Sequence, residues 1–177
     1  YYPKNVSELK KIIKRNLKNK NFLLKTGNCG HGDKSSLDKS PSVISLKKIN
    51  FIDKINKRQD VVKLGAGVML FDLTMHLKKY GYFIFNVPGG KNVSLGGAIS
   101  GNVHGRFSSK KFANFGDNVI SLKILDEKGR VRILNKKNKL FYRVIGGQSN
   151  FGIIIEATLK LKKIKFYNFE EKKIFIK

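Results

Sequence analysis

The sequence predicts an α+β protein of two α/β lobes, the second carrying a largely antiparallel sheet, and three observations carry that prediction. Two amphipathic helices alternate with short apolar strands through the first eighty residues. Beyond residue 118 the apolar pattern changes to strand-like alternation broken by a tight turn. Between and within these regions lie glycine-dense segments that no helix or strand needs for packing alone.

Taken in order, residues 5–19 read as a helix. Asn5 followed by Glu8 fits a capping box, and Val6, Leu9, Ile12, Ile13 and Leu17 form one apolar stripe. Phe22–Lys25 is a short strand that runs into the first glycine loop. Ser42–Leu46 and Asp60–Leu64 are further strands, with the polar stretch Asp53–Lys57 turning between them. A second helix covers Leu70 to Tyr80, with Leu70, Leu73 and Leu77 on one face and Gly81 as its stop. Asn118–Leu125 and Arg130–Leu134 alternate on either side of the turn Asp126–Gly129, which is a hairpin signal. Gly146–Gly152 is another glycine turn, and Ile153–Leu161 is a long strand.

The glycine segments carry the functional information. The first, Lys25–Asp33, places Gly27, Gly30 and Gly32 where successive amides can form an anion-binding nest, with Asp33 capping the turn. No long helix follows it, so the dinucleotide GxGxxG reading fails, and the GxxxxGK[ST] phosphate loop is absent. The second, Pro88–Arg106, holds glycines at 89, 90, 96, 97, 101 and 105 and ends at His104. Its run Ser94–Gly101 alternates small and apolar residues, a composition that predicts a backbone lying flat along a ligand. Two such loops suit one extended anionic ligand, such as a dinucleotide. A lone histidine like His104 is more often structural than functional.

Composition narrows the classes. With 177 residues and 41% hydrophobic content the chain can bury a sizeable core, and no apolar run approaches the length of a membrane span. The first residues lack the layout of a secretory signal. The net charge of +25 raises nucleic acid or an anionic surface as partners. Only six of the 37 basic residues are arginine, however, and the lysines are spread along the chain, as a general composition bias would leave them. Cys29 is the single cysteine, so no internal disulfide forms, and no Cys/His set has zinc spacing.

Several of these segments, taken in order, resemble the flavin-dependent oxidoreductases with the vanillyl-alcohol-oxidase (PCMH) type of FAD-binding domain. The likeness is greatest to the branch with aldonolactone oxidases, alditol oxidases and decaprenylphosphoryl-ribose 2′-oxidase. The segments are YYPKNVSELKKIIK, TGNCGHGD, VVKLGAGVMLFDL, PGGKNVSLGGAISGNVHG, FGDNVISLKILDEKGRV and GGQSNFGIIIEATLKL. The resemblance implies a PCMH-type domain over 1–168, with lobes 1–88 and 89–168 and FAD extended between them, and a substrate domain beginning at 169–177. Both ends of the chain read as cut, and the chain alone is expected to be inactive. Thr26, Gly27, Asn28, Cys29, Gly30, His31, Gly32 and Asp33 would bind the pyrophosphate. Gly89, Ser94, Leu95, Gly96 and Gly97 would line the phosphates and ribityl chain. Gly101, Asn102, Val103 and His104 would follow toward the isoalloxazine, and Ile154 would contact the cofactor through its backbone.

Members with covalently attached FAD carry histidine where this chain has Cys29, so non-covalent FAD is implied. The implied substrate is a small carbohydrate-like molecule bearing a CH–OH group, with the electron acceptor unspecified. No metal and no nucleic acid are expected, and the expected location is the cytoplasm or a peripheral membrane position. The rival reading is a basic module that binds nucleic acid or polyphosphate without redox chemistry.

Overall fold

A computed structural model describes residues 1–16, 24–26, 42–90, 92–105 and 110–164. Helix α1 (Val6–Asn16) starts where the sequence places it. Asn5 Oδ1 accepts the Glu8 N–H at 2.9 Å, and the Glu8 carboxylate reaches back to the Lys4 N–H at 2.8 Å, one residue before the position a standard capping box uses. Leu9 and Ile13 are buried, with Val6 and Ile12 packed beside them. Leu17 and the predicted end of the helix at 17–19 lie outside the described residues.

Strands β1 (Leu24–Thr26) and β2 (Ser42–Ile44) pair in parallel, Leu24 opposite Ser42 and Thr26 opposite Ile44. The first glycine loop departs from the end of β1, and residues 27–41 lie outside the described residues. Strand β3 (Val61–Gly65) falls one residue later than predicted, because Asp60 takes a left-handed φ of 51° and belongs to the turn. Helix α2 (Leu70–Lys79) buries Leu70, Leu73 and Leu77, and Gly81 follows with φ 73°, a conformation glycine adopts without a Cβ penalty.

The main sheet has four antiparallel strands in the order β3-β7-β5-β6, with β5 (Val119–Leu125), β6 (Val131–Asn135) and β7 (Ile153–Lys160). The predicted hairpin is β5–β6, with Leu122 opposite Leu134. Asp126 organises its turn: the carboxylate accepts from the Lys128 and Arg130 N–H groups and from the Arg130 guanidinium at 2.9–3.0 Å. Strand β7 pairs with β5 on one side and with β3 on the other, so the sheet joins a strand from the first 88 residues to three from the rest. A two-residue strand β4 (Tyr82–Phe83) pairs antiparallel with β8 (Lys162–Lys163), another link between early and late segments.

Three elements differ from the sequence expectation. Residues Leu95–Ser100, expected to lie flat, form a helix, α3. Its reason is visible in hindsight: Ser94 is a good N-cap, and Leu95, Ala98 and Ile99 are spaced i, i+3, i+4 and all buried. Asn118, read as the start of β5, instead ends a 3-10 turn at Phe115–Asn118. A short helix α4 (Lys139–Val144), which anchors itself by burying Phe141 and Val144, was not predicted. The core gathers all these faces, with Leu9, Leu64, Leu73, Leu95, Ile99, Leu122 and Phe115 among its fully buried members.

Candidate functional site

The second glycine segment is held at the top of the sheet by main-chain bonds. Leu95 N–H donates to Val68 O and Gly96 N–H to Ala66 O, both at 2.8 Å, while Leu70 N–H donates to Val93 O at 2.9 Å. Ala66 N–H in turn donates to Ile155 O of β7 at 3.1 Å. Gly97 N–H donates to the Ser94 side chain at 3.2 Å. The first amides of α3 are therefore committed inside the chain, which the sequence could not show. The Ser94 hydroxyl accepts that bond, and among the described residues its own proton has no acceptor, so it remains a donor.

The far end of α3 is closed by the turn after α4. Gly146 N–H donates to Ile99 O at 3.0 Å, Gln148 N–H donates to Ser100 O at 2.9 Å, and the Ser100 and Ser149 hydroxyls lie 3.2 Å apart. Gln148 and Ser149 both adopt left-handed φ, 48° and 66°.

The glycines of this segment divide by what a Cβ would meet. At Gly96 it would press on Ala66, with Cβ and O at 3.1 and 3.2 Å, and at Gly105 it would overlap Val87 O at 2.5 Å. Gly101 is intermediate, with the Gly97 carbonyl at 3.3 Å. Among the described residues nothing lies within 4 Å of a Cβ at Gly89, and at Gly97 only the Ser94 hydroxyl does, at 3.2 Å. Neither Gly89 nor Gly97 has a positive φ, and both are exposed. An exposed helical glycine with ordinary φ is about 1 kcal/mol worse than alanine. Among the described residues, the one atom that would stand against a Cβ at Gly97 is the N-cap hydroxyl of Ser94, whose oxygen already accepts the Gly97 N–H.

Asn102, Val103 and His104 follow α3. Asn102 has φ 42°, and its side chain accepts the Gly116 N–H at 3.0 Å. Val103 donates to Ala98 O and accepts from Phe115 N–H. His104 is exposed on the turn these bonds define. Ile154 is buried in β7 opposite Ile124. Thr26 ends β1, and Gly27, Asn28, Cys29, Gly30, His31, Gly32 and Asp33 lie outside the described residues. Sequence reasoning missed Asn86, which is buried at φ 57° and accepts the Gly105 N–H. Its only sequence signal is an αL-tolerant residue just before Val-Pro-Gly-Gly.

Two open clefts touch the ends of the segment. One of about 350 Å³ is bordered by Lys47, Gly67, Met69, Asp72 and Asn92. The other, of about 230 Å³, is bordered by Asn102, Asp117, Lys136 and Tyr142. The perturbed ionisable groups belong to other elements. Burial, then a hydrogen bond to Asp60, raises the Tyr82 phenol. At Asp126 burial pushes the carboxyl up, but the Arg130 and Lys128 bonds together outweigh it and hold the group below its ordinary value. Among the described residues no three His, Cys, Asp or Glu side chains group as a metal site, and no helix is long and apolar enough to cross a membrane.

The scaffold is a mixed α+β fold that carries a glycine-rich segment around α3, and comparison with known proteins gives its class. Residues 1–135 match the profile of the FAD binding domain family, and the chain belongs to that family. It is 32% identical over 122 residues to decaprenylphosphoryl-beta-D-ribose oxidase of Mycolicibacterium smegmatis, covering 67% of this chain and 26% of that one. It is 29% identical to an FAD-linked oxidoreductase of Dictyostelium discoideum, covering 93% and 36%, and 27% identical to a putative D-arabinono-1,4-lactone oxidase of Neurospora crassa, covering 89% and 28%. The chain thus spans roughly a quarter to a third of the length of these curated relatives. The fold matches a solved alkyldihydroxyacetonephosphate synthase with a TM-score of 0.77 at 19% identity, over 92% of this chain and 31% of that one.

Proposed function

We propose that this chain is the FAD-binding portion of an oxidoreductase that oxidises a CH–OH group of a sugar, aldonolactone or polyol-type substrate. The carrying observation is the exposed main chain at Gly97, where among the described residues only the Ser94 hydroxyl lies within 4 Å of a Cβ position. The names of the relatives, a decaprenylphosphoryl-beta-D-ribose oxidase and a putative D-arabinono-1,4-lactone oxidase among them, support the substrate class. When bound, the flavin supplies hydride acceptance from a carbinol carbon, chemistry that belongs to the cofactor.

The chain's own residues bind and orient. Thr26 to Asp33 hold the pyrophosphate through backbone amides. Gly89, Ser94, Leu95, Gly96 and Gly97 border the phosphates and ribityl chain. The amides of Leu95 and Gly96 are already committed within the fold, so contact there runs through the glycine surface and the Ser94 hydroxyl. Gly101 to His104 lie toward the ring, with Ile154 contributing main chain, and the two lobes 1–88 and 89–168 enclose the ligand. The base that takes the substrate hydroxyl proton comes from outside these residues.

With Cys29 at the position of the family's linking histidine, the cofactor is held without a covalent bond. Acid precipitation of the yellow protein is expected to release the flavin into the supernatant. Colour that stays with the pellet overturns the non-covalent assignment. A colourless protein that carries 260 nm absorbance removable by salt overturns the flavin reading altogether.

A further inference from the structure

Left-handed φ at a non-glycine residue is uncommon and persists only where the surrounding structure holds it. The described chain has five such residues, Asp60, Asn86, Asn102, Gln148 and Ser149. Four of them converge on α3 and the turn that leaves it. Gln148 and Ser149 bond to Ser100, Asn102 begins the turn, and Asn86 bonds its last residue, Gly105.

Asn86 and Asn102 repeat one arrangement. Each is an asparagine in the left-handed region whose side-chain oxygen accepts the N–H of a distant glycine, Gly105 for Asn86 and Gly116 for Asn102. In each case the glycine is required, since its Cβ would stand 2.9 Å from the Asn86 oxygen or 2.6 Å from the Asn102 oxygen. Asn86 further donates to the Phe112 and Ala113 carbonyls, and the buried Asn118 donates to Phe85 O and Phe115 O, bracing the same strands of chain. Where the backbone angle matters and space is free among the described residues this chain uses glycine, as at 81 and 129. Asparagine at 86 and 102 adds a bond that glycine cannot make.

Between the two clamped points sits His104, exposed, on a backbone fixed on both sides. We propose that Asn86 and Asn102 are positioning residues that fix the pitch of the His104 turn, so that the imidazole is presented to the ring end of the cofactor in one orientation. The part of this inference that concerns the ring rests on the flavin reading above. The physical motive is that a side chain acting on a neighbouring ring loses effect steeply with misplacement, whereas one on a clamped turn has only its own rotamer left to order.

The test uses the 177-residue chain, apo and FAD-loaded, with Asn102→Gly, Asn86→Gly and Asn102→Asp beside His104→Ala. The glycine variants keep the backbone angle and remove the clamp, and their melting temperatures report that they fold. In the apo chain, the His104 imidazole resonance (assigned with His104→Gln) is expected to shift toward that of free histidine and to split or broaden in both glycine variants. In the loaded chain the flavin potential is expected to move in the same direction as in His104→Ala. FAD affinity should change by no more than about fivefold, the worth of one neutral hydrogen bond. Asn102→Asp, which keeps the acceptor for the Gly116 N–H, should restore both signals.

An imidazole resonance and a potential unmoved in both glycine variants overturn the proposal, as does an aspartate variant no better than glycine. If one glycine variant fails to fold, the other carries the same comparison. A parent chain that retains no flavin, or a potential that His104→Ala leaves unchanged, brings down the flavin reading instead. The apo imidazole spectrum then decides the clamp alone.

Discussion

Gly65, which ends β3, and Gly67, in the turn that leads to α2, look like Gly89 and Gly97 of the segment around α3 in the sequence and differ from them in space. A Cβ at Gly65 would stand 2.3 Å from Ile49 O, and one at Gly67 would stand 2.1 Å from Leu46 O. Those glycines let the 46–49 turn pack directly on the strand end, where Gly65 and Gly67 N–H donate to Phe51 O and Ile49 O. Gly89 and Gly97 have no such neighbours. Glycine density alone therefore does not mark a ligand site. The informative glycines are those whose absent side chain leaves space that the protein does not itself fill.

The largest expected effect follows from the inward pair. Gly67→Ala drives a methyl into a backbone carbonyl that cannot swing aside, and about 3 kcal/mol or more of folding stability should be lost. Urea denaturation of Gly67→Ala beside Gly97→Ala measures the contrast directly, since the latter should stay within about 1 kcal/mol of the parent. Equal losses in the two would erase the distinction between the regions.

For the outward pair the loss should appear in binding. Gly97→Val is expected to fold, because an exposed helical valine is no worse than glycine for stability. It should nevertheless hold FAD about a hundredfold more weakly, or about 2.7 kcal/mol. Titration of the apo protein with FAD, followed by flavin fluorescence, reads this. Near-parental affinity in a folded Gly97→Val protein would mean that the segment does not touch the ligand.

A turn with no assigned ligand role sharpens the comparison. Asp126 lies nearly buried beside Gly129, and three N–H donors hold its carboxyl below the ordinary value despite burial. Because the folded pKa is depressed, the stabilisation is complete above the unfolded value of about 4 and is lost as pH falls through the folded value. Asp126→Asn should lower stability at neutral pH by about 2 kcal/mol. It should also flatten the acid limb of the stability profile, leaving FAD affinity alone. An acid limb equally steep in the variant would assign that limb to other carboxylates.

Among the proposed site residues, the smallest effect on affinity belongs to His104. His104→Ala should change FAD binding by less than about fivefold, since one exposed side chain is a small part of a contact spread over several loops. The same change should lower the potential of the bound flavin, because a hydrogen bond or positive charge beside the ring favours its reduced, anionic form. Redox titration of parent and variant distinguishes this from a structural role, in which the potential stays put.

Local pattern was enough for the amphipathic helices, the Gly81 stop and the β5–β6 hairpin, because a 3.6- or 2-residue period reports directly which face is buried. It was also enough to single out the two glycine segments and, through their order and spacing, the FAD-binding family. Pattern failed at α3, where small residues mask the buried spacing of Leu95, Ala98 and Ile99, and at α4 and the β4–β8 pair, which are too short to show a period.

What only the tertiary structure decided is which strands pair and which glycines face outward. Strand β7 lies between β3 and β5, nearly a hundred residues apart from the first and beside the second, and no local spacing encodes that choice. Glycine carries no side chain whose polarity could announce a face. Only the distances around it separate Gly67, closed by a carbonyl, from Gly97, which faces only the Ser94 hydroxyl among the described residues, and Asn86 from any other asparagine in a loop. Sequence set the local shapes through side-chain periodicity; long-range packing assigned the space left over, and that space is where the cofactor is proposed to lie.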